Sequence, residues 1–133
     1  MNTELARFNM VEQQIRPWNV LDHAVLEQLS FLDRSLFVPS AFEELAYSDT
    51  EIPLLHGETM LAPRVAARLA QDLLLKPSDN VLEIGTGSGY LTAASTPDFE
   101  PYGFVFAHCK ITGETPDIKT YLGRPWRDYA QTV

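Results

Sequence analysis

The sequence predicts an α/β fold on three observations. The first three quarters carry helical apolar patterning broken by prolines. A short apolar run, VLEI, then passes directly into a glycine loop, and the last quarter alternates branched and aromatic residues as a strand does.

The elements follow in order. Residues 3–15 place Leu5, Phe8, Met10, Val11 and Ile15 on a loose helical stripe that Pro17 stops. A second helix starts after Asp22, a residue suited to the N-cap, and carries Val25, Leu26, Leu29 and Leu32. Pro39 interrupts the chain. Ser40 followed by Glu43 then forms a capping-box pattern for a short helix over 41–47. Residues 50–58, TEIPLLHGE, read as loop or short extended structure around Pro53 and Gly57. Pro63 opens the clearest helix, PRVAARLAQDLLL, at the first-turn position that tolerates proline, with Val65, Leu69, Leu73 and Leu74 as its buried stripe. KPSDN is a turn, VLEI a buried strand, and GTGSGY the glycine loop. Past Ala94 the composition changes: ASTPDFEP is proline-broken, GFVFAHCKIT (103–112) reads as a strand, and 120–133 is aromatic and loop-like.

The 133 residues suit one hydrophobic core. Ten Lys plus Arg against eighteen Asp plus Glu give a net charge of −8, which argues against a general phosphate-backbone binder. No apolar stretch approaches the roughly 18 residues of a membrane span, and the charged N-terminus lacks the apolar core of a secretory signal, so a cytoplasmic protein is expected. The single Cys109 allows no intrachain disulfide. His23, His56 and His108 are too far apart for a helical zinc motif, so no metal is assigned.

VLEIGTGSGY is the most informative string. Gly85, Gly87 and Gly89, separated by Thr86 and Ser88, permit positive φ and close approach of backbone to a ligand. A ligand-free strand-to-helix turn has the same pattern. With the strand before it and Glu83 just upstream, the string resembles motif I of S-adenosylmethionine-dependent methyltransferases. RFNMVEQQIRPWNVLD, LFVPSAFEELAYSDTEIPL, HGETMLAPRVAARLAQDLLL and VLEIGTGSGYLTA occur in one order. Together they resemble the N-terminal half of protein-L-isoaspartate O-methyltransferase, over about residues 5–93. That resemblance implies a Rossmann-like fold, S-adenosylmethionine as cofactor, and a protein substrate whose isoaspartyl carboxylate takes the methyl group. It also implies cofactor-binding positions at Thr59, Glu83, Gly85, Thr86, Gly87, Ser88 and Gly89.

Two departures from that family stand out. Its substrate loop typically reads GQTISxP, whereas GETMLAP here puts Leu61 at the serine, and leucine neither donates to nor orients a carboxylate. No catalytic residue is therefore assigned. A Rossmann-type site also takes a carboxylate about 20 residues on, at the end of the next strand, to bind the ribose. The next strand here reaches none until Glu114, which weakens the expected cofactor site.

The tail resembles another family. GYLTAASTPDFEPYGFVFAHCKITG followed by YLGRPWRDYAQTV is similar to a segment of pectinesterase, a secreted β-helix enzyme. By that match Arg124 and Trp126 take the positions of active-site residues, without the catalytic aspartates of the family. The expected organisation is a truncated methyltransferase half over 1–93, with an appended β segment over 94–133 that is no independent domain. The leading function is an incomplete, impaired isoaspartyl-type methyltransferase. Against it stands a non-enzymatic folded chimera, or a homo-oligomer formed when GFVFAHCKIT pairs with a neighbouring chain rather than with VLEI. Pectinesterase activity comes third.

Overall fold

The computed structural model describes residues 2–54, 57–76, 81–85, 87–95 and 104–107. Asn2 caps the first helix, its side chain accepting from the Leu5 N–H at 3.1 Å, and α1 runs Thr3–Asn9. The chain then widens into a π-helical stretch, Met10–Ile15. That i→i+5 spacing turns Met10, Val11 and Ile15 together into the core, where all three are buried. Leu5 and Phe8, placed by the sequence on the same stripe, are instead exposed, because the buried face begins only where the helix widens. Pro17 stops the widened helix at Ile15, as the sequence predicts. It sits in the first positions of a 3₁₀ turn, Arg16–Trp18, where its missing N–H costs nothing, and the turn ends at Asn19 in the left-handed region.

Helix α2, His23–Phe31, starts as expected: Asp22 accepts from the Val25 N–H at 3.0 Å, and Leu26 and Leu29 are buried. Two 3₁₀ turns follow, Arg34–Phe37 and Ser40–Leu45. The second differs from the expected capping box. Pro39, in extended conformation, takes the cap position, so Ser40 is already helical and makes no side-chain cap bond. The short strands β1 (Ile52–Pro53) and β2 (Thr59–Met60) pair antiparallel, Ile52 opposite Met60.

Helix α3, Pro63–Asp72, opens on its proline as the sequence predicts, but buries a different face. Pro63, Ala66, Ala67 and Ala70 face the core, while Leu69, Leu73 and Leu74 are 44%, 49% and 75% exposed and Val65 is half-buried. The small side chains let α3 pack against the Met10–Ile15 stretch, and its polar residues tie down the loop before α2. The Gln71 side-chain oxygen accepts from the Leu21 and Asp22 N–H groups (2.7 and 2.9 Å), and its Nε2 donates to the Asn19 carbonyl (3.0 Å).

Strand β3, Val81–Ile84, leads through the glycine turn to the short helix α4, Tyr90–Ala94. Strand β4, Phe104–Ala107, pairs with β3 in parallel, Val81 opposite Phe104 and Ile84 opposite Ala107. Its partner is thus VLEI of the same chain. Parallel pairing requires a crossover connection, the arrangement of an α/β sheet. Residues 103 and 108–112 of the expected strand lie outside the described residues. The core runs from Met10, Ile15, Val20 and Leu29 through Ile52 to Tyr90, all essentially inaccessible to solvent. Burying each of the larger aliphatic side chains contributes roughly 1.5–3 kcal/mol. Among the described residues no helix is long and apolar enough to cross a membrane.

Candidate functional site

The glycine turn takes the backbone its sequence demands. Gly85, Gly87 and Gly89 have φ of +76°, +58° and +83°, a region that L side chains rarely adopt. Among the described residues, a Cβ on Gly85 or Gly89 would meet no atom within 4 Å, and one on Gly87 would reach only the Leu54 side chain, at 3.5 Å. The turn therefore presents bare backbone to open space. Gly89 caps α4, and the Ser88 hydroxyl accepts a long bond, 3.4 Å, from the Tyr90 N–H.

At the end of β3 Glu83 is half-buried and accepts from the Thr92 hydroxyl, which ties the strand to α4. Burial pushes its carboxyl above the usual carboxylate range, and the Thr92 hydrogen bond opposes that rise.

These elements enclose a cavity of about 70 Å³. Thr59 and Leu61 come from β2 and the residue after it, and Glu83, Gly85, Gly87 and Ser88 come from the strand and turn. The sequence reading named all six. Met60, Ala66, Tyr90 and Leu91 complete the lining and were missed, although Tyr90 directly follows the last glycine. Gly89 does not line the cavity, because it serves as the cap of α4. Thr86, Arg124 and Trp126 lie outside the described residues, as do His56, His108 and Cys109.

Ligand sites commonly have roughly 300–1,000 Å³, so this cavity takes only part of a nucleoside-sized cofactor. For that part the residues fit: a carboxylate beside the turn, hydroxyls at Thr59 and Ser88, and backbone that no Cβ shields. Strand β4, FVFA, carries no carboxylate.

Behind the cavity stands a wholly buried Arg34. Its Nε donates to the Ala46 carbonyl and its Nη2 to the Leu61 carbonyl, both at 2.7 Å. Its guanidinium lies 4.5 Å from the centre of the Tyr90 ring, which Phe37 meets edge-on at 5.5 Å. Burial lowers the Arg34 pKa, Tyr90 opposing, and raises that of Tyr90. No spacing in the sequence marks Arg34.

A strand that runs into a left-handed glycine turn, beside a cavity and a parallel second strand, is an α/β arrangement of the glycine-loop type. Comparison with known proteins narrows this. Residues 6–107 match the family Protein-L-isoaspartate(D-aspartate) O-methyltransferase (PCMT), and the chain belongs to it. The match runs past residue 93 and takes in β4.

Two curated relatives named Protein-L-isoaspartate O-methyltransferase illustrate the likeness. The one from Herpetosiphon aurantiacus is 45% identical over 87 residues, 65% of this chain and 39% of the relative. The one from Aeropyrum pernix is 41% identical over 116 residues, 87% of this chain and 43% of the relative. The chain thus spans about two fifths of their length. A crystal structure of a PCMT from Plasmodium falciparum, described as in complex with S-adenosyl-L-homocysteine, superposes with a TM-score of 0.52 at 27% identity, over 71% of this chain and 41% of that one.

Proposed function

We propose that the chain is the part of an S-adenosylmethionine-dependent protein-L-isoaspartate O-methyltransferase that carries the glycine turn and one wall of the acceptor side. The observation that carries this reading is the meeting of the Thr59–Leu61 segment with the Glu83–Ser88 turn at one cavity, in a member of that family. The Plasmodium relative, with its bound S-adenosyl-L-homocysteine, supports the choice of cofactor.

When bound, the cofactor supplies a sulfonium-activated methyl group. The chain's own residues do the rest by positioning. Gly85 and Gly87 allow its backbone to approach the cofactor without side chains between them. Glu83 accepts hydrogen bonds from cofactor donors, and the Thr59 hydroxyl stands on the opposite wall. Leu61 excludes water from the acceptor side but offers no hydrogen bond to a carboxylate, so acceptor positioning is impaired relative to a serine there. The acceptor is an isoaspartyl carboxylate of a protein.

Calorimetric titration of the purified chain with S-adenosylmethionine, beside a Gly87→Val variant, tests this reading. Micromolar binding that the variant loses supports it. No heat at millimolar ligand from a folded chain overturns it.

A further inference from the structure

Arg34 is not part of the cavity lining, yet it touches both of its walls. One donor holds the carbonyl of Leu61, on the acceptor side, and its guanidinium carbon lies over the ring of Tyr90, which begins the helix after the glycine turn. The remaining bond, to the Ala46 carbonyl, anchors the group to the chain behind. The neighbouring Asp33 does not neutralise it. That carboxylate accepts from the Ser35 N–H at 3.0 Å, from the Ser35 hydroxyl, and from the Tyr47 hydroxyl at 2.6 Å. Among the described residues no carboxylate pairs with Arg34, and its Nη1 has no hydrogen-bond partner.

A buried guanidinium without a counter-ion is an expensive way to fill a core, and an apolar side chain of similar length fills the same space at lower cost. Such a side chain cannot bond a carbonyl on one wall of a cavity while placing a cation over a ring of the other. Lysine keeps the charge but has neither the fork nor the plane. We propose that Arg34 is a positioning residue, which sets the spacing between the Leu61 wall and the Tyr90 wall of the cavity. This rests on the reading of that cavity as the methyl-transfer site.

The test compares the full chain with Arg34→Lys and Arg34→Met by hydrogen exchange and mass spectrometry, with S-adenosylmethionine titration in parallel. Release of the wall speeds amide exchange over residues 58–62 by about tenfold or more, while α2 keeps the parent's rates. The dissociation constant for the cofactor rises in the same variants. Uniform acceleration across the chain overturns the proposal, since Arg34 then holds the fold as a whole. So does unchanged exchange at 58–62. If the parent itself binds no cofactor, the reading of the cavity fails, and the exchange pattern still decides whether Arg34 holds the Leu61 segment.

Discussion

Replacing Gly85 by alanine separates a stability effect from a binding effect. Gly85 has φ +76°, so an alanine there takes on left-handed strain of about 1–2 kcal/mol. Among the described residues nothing is added by collision, because the new methyl meets none of their atoms within 4 Å. The expected loss of stability is therefore about 1–2 kcal/mol, and each kcal/mol lowers Tm by roughly 4–8 °C in a domain of this size. The same methyl enters the space that the cofactor is proposed to occupy. Displacement of the cofactor from the turn weakens its binding by tenfold or more, or about 1.4 kcal/mol. A thermal melt without ligand gives the first quantity, and calorimetric titration well below the melt gives the second. A folded Gly85→Ala chain with the expected Tm and an unchanged dissociation constant would refute the reasoning, since the cofactor then never approaches this glycine.

Two further substitutions probe the site's electrostatics and its acceptor side. Burial holds the Glu83 carboxyl above its ordinary range, so the folded chain keeps a proton that the unfolded chain has released. Stability from this group accordingly falls as pH rises from the ordinary carboxylate range through the folded pKa, and levels off above it. Glu83→Gln removes that slope from urea midpoints measured between about pH 4 and 8, and it weakens cofactor binding; equal slopes in parent and variant contradict the assignment. Leu61→Ser places a hydroxyl on the acceptor wall and raises methyl transfer to an isoaspartyl peptide over the parent chain. An unchanged rate, with cofactor binding intact, clears Leu61 of responsibility for a weak acceptor site.

The legible part of this molecule is the part encoded over short distances. Asp22 caps α2, Pro63 opens α3, and VLEI runs into a glycine turn, each from neighbouring residues alone. Thr59, Leu61 and four residues of the Glu83–Ser88 stretch, each at a position marked by a local sequence motif, line one cavity. What could not be read depends on partners far along the chain. Leu69, Leu73 and Leu74 form as good an apolar stripe as the alanines of α3, and the packing of α2, α4 and the Met10–Ile15 stretch against this helix decides that the alanines go inside. Arg34 carries no local mark, because its acceptors lie 12 and 27 residues away.

The alanine face of α3 also governs how this protein can change. Alanine loses no rotamer freedom on burial, so Ala66, Ala67 and Ala70 form their seam without the side-chain ordering that leucines would require. The same economy leaves the seam little room for growth away from the cavity that Ala66 lines, because a methylene added at Ala67 or Ala70 pushes packed elements apart. Sequence drift along this helix is therefore confined to its leucine side. The smallest side chains of this helix are the ones whose enlargement the fold resists most.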